Sequence, residues 1–189
     1  MSVLGWLKAR RRREEPTALA AWRAQWTAAI EAQDAGQVEP LRAALAGLAT
    51  APDDLEIEEE MLEGLTALVD LTASLRDGQL PHVVTGHRVV GTDACAFSAP
   101  ASLPDDPAQP AGRVMLTDRR AIFAGGGQSV TAAWHRVGSV VRVDRDLLLV
   151  LGGTGTVHRF RFNSYADALC GAAIARHLTP RRNLGSRGL

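Results

Sequence analysis

The sequence predicts an α+β protein: a unit of about three helices, followed by an antiparallel β-barrel or sandwich of about seven strands capped by a C-terminal helix. Three observations carry this. Through the first part of the chain apolar residues recur every three or four positions; after Gly78 short alternating runs broken by proline and glycine replace that period; and a helical period returns in the last segment, SYADALCGAAIARHL. A chain of 189 residues is long enough for one domain of about 100 residues beside a smaller helical unit. The expected divisions are an N-terminal arm at 1–15, the helical unit at 16–77, the strand-rich domain at 78–179 and a flexible basic tail at 180–189.

Between Pro16 and Gly36, Leu19, Trp22, Trp26, Ala29 and Ile30 fall on one helical face, with Thr17 placed to cap the helix and Gly36 to end it. A second helix starts near Pro40, carries Leu41, Leu45 and Leu48 on its stripe, and stops before Pro52. Asp53 is positioned to cap a third, in which Ile57, Met61, Leu65, Leu68, Leu71 or Thr72, and Leu75 continue a stripe while Glu56, Glu59, Glu60 and Glu63 face water.

Beyond Gly78, VVTGHRVVG and DACAFSA read as the first two strands, and the proline-rich PASLPDDPAQPAG reads as a surface loop. RVMLT and RAIFAG flank Asp118 and Arg119 as a tight hairpin, GGGQ turns the chain into SVTAAW, and GSVVRVD, LLLVLGG and TVHRFRF bring the total to seven or eight strands. The GGTG at 152–155 is a bend. A phosphate-cradling glycine loop needs a helix directly after it, and this one is followed by VHRFRF, where Phe160 and Phe162 alternate with Arg159 and Arg161 as a two-faced strand. It also lacks the Lys-Ser/Thr pair of a P-loop. Asn163 or Ser164 then caps the final helix, whose apolar face includes Tyr165, Ala168 or Leu169, Ala172 and Ile174 to Leu178.

Composition narrows the function. The chain has 21 Lys+Arg against 21 Asp+Glu, so no general basic surface for nucleic acid is indicated. Its two cysteines, Cys95 and Cys170, lack metal-ligand spacing and form no disulfide framework, which leaves buried thiols and no metal. No run of about 18 apolar residues is present for a membrane span. The apolar part of the N-terminus, Val3 to Leu7, is too short for a secretory signal, and its positive charges follow instead of preceding it. The expected location is therefore the cytoplasm, and the Ala, Gly, Arg and Leu usage points to a high-GC bacterial source.

The stretches GRVMLTDRRAIFAGG, WHRVGSVVRVDRDLLLVL and FRFNSYADAL resemble the GRAM and bacterial pleckstrin-homology-like (PH-like) domains. The positions that carry the resemblance are Leu116, Thr117, Asp118, Arg120, Phe123, Trp134 and Val137, within about Val83 to Leu178. The resemblance implies a domain that binds phosphoinositide head groups, other lipids or protein segments, or that only provides scaffolding, with such sites on loops rich in Lys and Arg. Here the loop after the second strand is the acidic LPDDPAQP, which argues against a tight phosphoinositide site there.

No catalytic set emerges. His82, His87, His135, His158 and His177 form no HExxH or close Cys/His group, Ser98, Ser102 and Ser129 lack a nucleophile elbow, and Asp144 and Asp146 flank Arg145 in a turn. The chain is read as no enzyme and as using no cofactor. Arg119, Arg120, Arg136, Arg142, Arg159 and Arg161 form a candidate ligand or partner face, alternation sending the strand arginines to one side. In the arm, Leu4, Trp6 and Leu7 precede Lys8, Arg10, Arg11, Arg12 and Arg13, which suits contact with an anionic membrane surface. Five charges at about 1 kcal/mol each make a weak anchor by themselves. Alternatively the arm is neutralised on an acidic face formed by Asp53, Asp54, Glu56, Glu58, Glu59, Glu60 and Glu63. The expectation is a non-enzymatic cytoplasmic adaptor with a protein partner and a PH-like recognition domain. The alternatives are a peripheral protein at the inner membrane face and an enzyme whose site uses His135 or the Asp144 and Asp146 turn. No specific nucleic acid is expected as a partner.

Overall fold

The computed structural model describes residues 3–48 and 55–180, with side chains from residue 18 onward. The chain divides into two compact units, Met1–Ala73 and Ser74–Leu189.

The first unit contains α1 (Val3–Ala32), α2 (Val38–Leu48) and all but the last turn of α3 (Glu56–Arg76). Trp22, Trp26 and Ala29 of α1 are buried, as are Leu41 and Leu45 of α2 and Met61, Leu62, Leu65 and Leu68 of α3. Both indoles also reach across helices: Trp22 Nε1 donates to the Leu41 carbonyl at 2.9 Å and Trp26 Nε1 to the Met61 carbonyl at 2.7 Å. Three expectations need correction. First, α1 begins at Val3, so its backbone passes through Pro16 and Thr17 is not its cap. Second, it ends before Gly36: Gln33 adopts φ 51°, its N–H bonds to Ile30 O, and Asp34 N–H bonds to Ala29 O, a Schellman-type closure. Gly36 falls in the following 3₁₀ turn, where its N–H donates to Asp34 Oδ1 at 2.9 Å. Third, Ile57 is 50% exposed and Glu58 takes the buried position beside it. A buried carboxylate must be paired, and Arg23 pairs with it through Nε at 2.8 Å and through Nη2. That pairing also removes Glu58 from the proposed acidic outer face, on which Glu56, Glu59 and Glu63 remain exposed. The Asp53 cap, and Asp54, lie outside the described residues.

The second unit has seven strands: β1 (Cys95–Ser102), β2 (Ala111–Thr117), β3 (Arg120–Gly125), β4 (Gln128–Ala133), β5 (Val137–Val143), β6 (Asp146–Leu151) and β7 (Val157–Phe162), followed by α4 (Tyr165–Leu178). They form one antiparallel sheet in the order β4-β3-β2-β1-β7-β6-β5, which does not close into a barrel. Two meanders are thus joined where β1 meets β7, through Ala101↔Phe162 and Ser102↔Arg161. VVTGHRVVG is not a strand. It holds a 3₁₀ turn, Arg88–Val90, and Val90 inserts among Cys95, Met115 and Ile122, so the segment lies across a sheet face instead of extending the ladder. The proline-rich loop is also shorter than expected, because β1 runs to Ser102 and β2 starts at Ala111.

The bend at 152–155 joins β6 to β7. Gly153 at φ 87° and Gly155 at φ 67° supply the left-handed turns, and Leu151 N–H closes on the Thr156 carbonyl at 2.8 Å. A strand follows, as the alternation requires, and buries Phe160 and Phe162. Val114, Leu116, Ala121 and Phe123 from one meander and Leu147, Leu149, Phe160 and Phe162 from the other are buried. Phe123 stacks on Phe160 with ring centroids 6.2 Å apart. Ser164 caps α4 by accepting from Asp167 N–H at 3.1 Å, and the helix packs on β5, β6, β7, β1 and β2. Its buried face joins Leu169 and Ile174 with the small Ala168, Gly171, Ala172 and Ala175, which allow close approach to the sheet.

Candidate functional site

Strand register sorts the side chains of β5 to β7 onto two faces, because residues directly opposite in an antiparallel pair point the same way. Arg142 pairs with Leu147, which pairs with Phe160, and that row faces the core. The alternate rows are Val143 with Asp146 and Arg161, then Val141 with Leu148 and Arg159, then Ser139 with Val150 and Val157. On this outer face Val141, Val143 and Val157 are 41%, 53% and 45% exposed, and Leu148 and Val150 are half-buried. Five apolar side chains on three strands make a continuous patch bordered by two arginines. The sequence carried a signal for it, since the adjacent Val140 and Val141 must put one valine on each face of β5.

The border is electrically closed. The Asp146 carboxylate is buried, with Arg161 donating to it through Nε at 2.8 Å and Nη2 at 3.0 Å, and Arg159 through Nε at 2.8 Å and through Nη2. Burial alone would push its pKa up, but the hydrogen bonds and charges of Arg161 and Arg159 outweigh that and hold it below the ordinary aspartate value. Arg159 also meets Asp105 of the β1–β2 loop at 3.3 Å, so the acidic loop partly neutralises this arginine. Beside this cluster, Asp144, Arg145, Asp146, Arg161, Phe162 and Tyr165 line an open cleft of about 300 Å³, with the Arg145 guanidinium 4.9 Å from the Tyr165 ring centroid. The acids and arginines of the cleft alternate in sign, and Asp146 bridges two cations, which is the chemistry of a clamp more than of a proton donor. His135 stands in the 3₁₀ turn Trp134–Arg136 and does not line the cleft.

The six arginines expected to share one face do not. Arg159 and Arg161 are together on the outer face, whereas Arg142 lies on the opposite one, where Nη1 donates to the Asp144 carbonyl at 2.7 Å. Arg119 and Arg120 converge on Asp93, at 3.7 and 2.9 Å. Arg136 is exposed in the turn before β5, and its charge, after burial, helps lower the pKa of His158. Side chains of Leu4, Trp6, Leu7, Lys8 and Arg10 to Arg13 lie outside the described residues, as does the tail beyond Pro180. Among the described residues no group of three His, Cys, Asp or Glu could hold a metal ion, and no helix is long and apolar enough to cross a membrane.

The motif residues are used by the fold. Thr117 Oγ1 accepts from Arg120 N–H at 3.0 Å and donates to the Arg120 carbonyl at 2.9 Å, closing the β2–β3 turn. Trp134 Nε1 donates to the Thr117 carbonyl at 2.7 Å. Asp118 and Ala94 exchange two bonds, N–H to Ala94 O at 2.9 Å and Ala94 N–H to Asp118 Oδ1 at 3.1 Å.

No family model and no curated protein matches the chain. Among solved structures, the chain is similar to the C-terminal domain of an unknown protein from Leishmania infantum, at 8% identity and a TM-score of 0.42 over 49% of this chain and 90% of that one. It is also similar to inner membrane complex sub-compartment protein 3 from Toxoplasma gondii, at 13% identity and a TM-score of 0.35 over 43% of this chain and 73% of that one. At these scores neither likeness carries an argument about function.

Proposed function

We propose that the chain is a non-enzymatic interaction protein of the cytoplasm whose PH-like sheet unit docks a protein partner on the outer face of β5 to β7. One observation carries the reading: Val141, Val143 and Val157 are exposed on one face with Leu148 and Val150 between them, and the charged neighbours in the register, Arg159 and Arg161, are already bonded to the Asp146 carboxylate. Contiguous exposed aliphatic surface marks interaction sites. Five side chains form a patch of a few hundred Å² at most, well short of the roughly 800 Å² per partner of a stable interface between folded domains. The occupant that fits is therefore a short apolar segment of the partner, not a second globular face. Because the motif residues Thr117, Asp118, Arg120 and Trp134 are committed to turns and strand ends, the resemblance to PH-like domains supports the scaffold and leaves recognition to this patch.

The test is affinity capture from native lysate with the full chain and with Val141→Asp/Val143→Asp. A stoichiometric protein recovered by the first and lost by the second, with matching circular dichroism, is the expected result. Equal recovery by both, or a monomer that recovers nothing, overturns the reading. The composition of the arm supports a second reading, peripheral attachment to the inner membrane face through Leu4, Trp6, Leu7, Lys8 and Arg10 to Arg13. Deleting Met1 to Arg13 is then expected to abolish co-sedimentation with anionic vesicles, and unchanged binding rejects it.

A further inference from the structure

We infer that the segment from Leu80 to Ala94 is a releasable strap, which covers an apolar face of the β1–β3 meander and opens from it without unfolding of the sheet. The inference stands apart from the valine face of β5 to β7 and does not depend on it.

Register defines what the strap covers. Val114, Leu116, Ala121 and Phe123 form the core rows of β2 and β3, so Met115 and its partner Ile122 point to the other face. Both are fully buried, and Val90 of the strap is packed with them and Cys95, while Val83 and Ala124 border the cluster. The cover is slight. Its regular structure is the single turn Arg88–Val90, and between residues 84 and 92 its hydrogen bonds stay within the strap: Val90 N–H to His87 O, Gly91 N–H to Arg88 O and His87 N–H to Thr85 Oγ1, with Asp93 N–H returning to Val90 O. Between its ends Val84 is 90% exposed and Val89 37%. Few apolar contacts and exposed backbone bonds mark a segment that opens locally.

The strap is tied at both ends. Near its start, Val83 N–H donates to the Cys95 carbonyl at 2.8 Å. Its far end is a latch, in which the buried Asp93 carboxylate takes Arg120 Nε at 2.9 Å and lies 3.7 Å from Arg119 Nε. The neighbouring Ala94 and Asp118 exchange two further bonds. Asp93 is shielded, but Arg119 and Arg120 are 71% and 38% exposed, so solvent ions reach the cations and the latch is sensitive to salt. Opening turns Cys95, Met115 and Ile122 from core into surface, and the latch sets how often that happens.

Cys95 is a built-in reporter. It is 3% exposed, its thiol donates to the Phe97 carbonyl at 3.1 Å, and burial pushes its pKa up, so the closed form reacts slowly. Maleimide labelling of the full chain carrying Cys170→Ser, at low and high salt, is compared with the global unfolding rate of the same protein. The expected result is labelling faster than global unfolding and quickened by salt. Asp93→Asn should raise the rate about three- to tenfold and remove most of its salt dependence, with little change in Tm. Labelling at the global unfolding rate in both proteins overturns the inference, because the strap then opens only with the sheet. If Asp93→Asn fails to fold, hydrogen exchange of the unsubstituted chain decides: the amides of Val83, Val90, Gly91 and Asp93 must be less protected than those of Met115 and Ile122. Equal protection overturns it.

Discussion

Asp146 is 3% exposed and still charged, because two guanidiniums replace the water it lost. Its pKa is raised by burial and lowered more by Arg161 and Arg159, and the net shift is downward from 3.8. A group with a depressed folded pKa contributes stability that is present above the unfolded pKa and is lost as pH falls through the folded one. We therefore predict that urea midpoints of the parent and of Asp146→Asn differ at pH 7, and that the difference narrows only below about pH 4. His158 works at higher pH: burial and the Arg136 charge lower its pKa below 6.5, so its neutral form is favoured in the fold and protonation destabilises as pH drops below that value. The two residues act in separate windows. A gap between parent and Asp146→Asn that is the same at pH 7 and pH 3 would show that the clamp is not what the carboxylate supplies.

The strands and helices depend on where glycine is required and where it is only tolerated. Gly112 and Gly125 are paired across β2 and β3, and a Cβ on Gly112 would come within 2.7 Å of the Gly125 Cα and 2.8 Å of the Phe123 ring, while one on Gly125 would strike the Gly112 Cα and the Ala111 carbonyl. Gly125→Ala is expected to cost about 1–3 kcal/mol by overpacking, whereas Gly47→Ala, on the exposed side of α2 with open space around it, should gain about 0.5–1 kcal/mol. Chemical denaturation of the two variants checks both signs. Elements of this kind were largely legible from the chain: period and turn residues located α2, α3, α4 and all seven strands, and the strand after GGTG decided that the glycines made a bend. The misplaced pieces share a cause. VVTGHRVVG has strand-like valines, but Val90 and Val83 satisfy them by lying on a sheet face, and periodicity cannot distinguish lying on a sheet from joining it. Ile57 and Glu58 exchanged roles for a similar reason, since the Arg23 partner that makes Glu58 tolerable inside is 35 positions away. The arginine face failed at the register: the chain gives alternation within each strand, but which face Arg142 shares with Arg159 depends on how β5 pairs with β6 and β6 with β7.

For the molecule as a whole, balanced charge and exposed valines act together. With 21 basic and 21 acidic residues the formal net charge is zero at pH 7, where nothing long-ranged opposes contact between copies. The outer face of β5 to β7 then supplies a site for such contact, with Val141, Val143 and Val157 open to solvent. Solubility is accordingly expected to pass through a minimum near pH 7 and to rise on either side. Charge and patch are separable causes. Val141→Lys/Val143→Lys adds two positive charges and removes two of the apolar side chains, whereas Ser129→Lys/Thr131→Lys adds the same charge at exposed positions of β4 and leaves the patch intact. Precipitation midpoints and light scattering at pH 7 should improve for both pairs and distinctly more for the valine pair. Equal improvement would assign the effect to net charge alone, and would also weaken the case that these valines form a surface kept apolar for a partner.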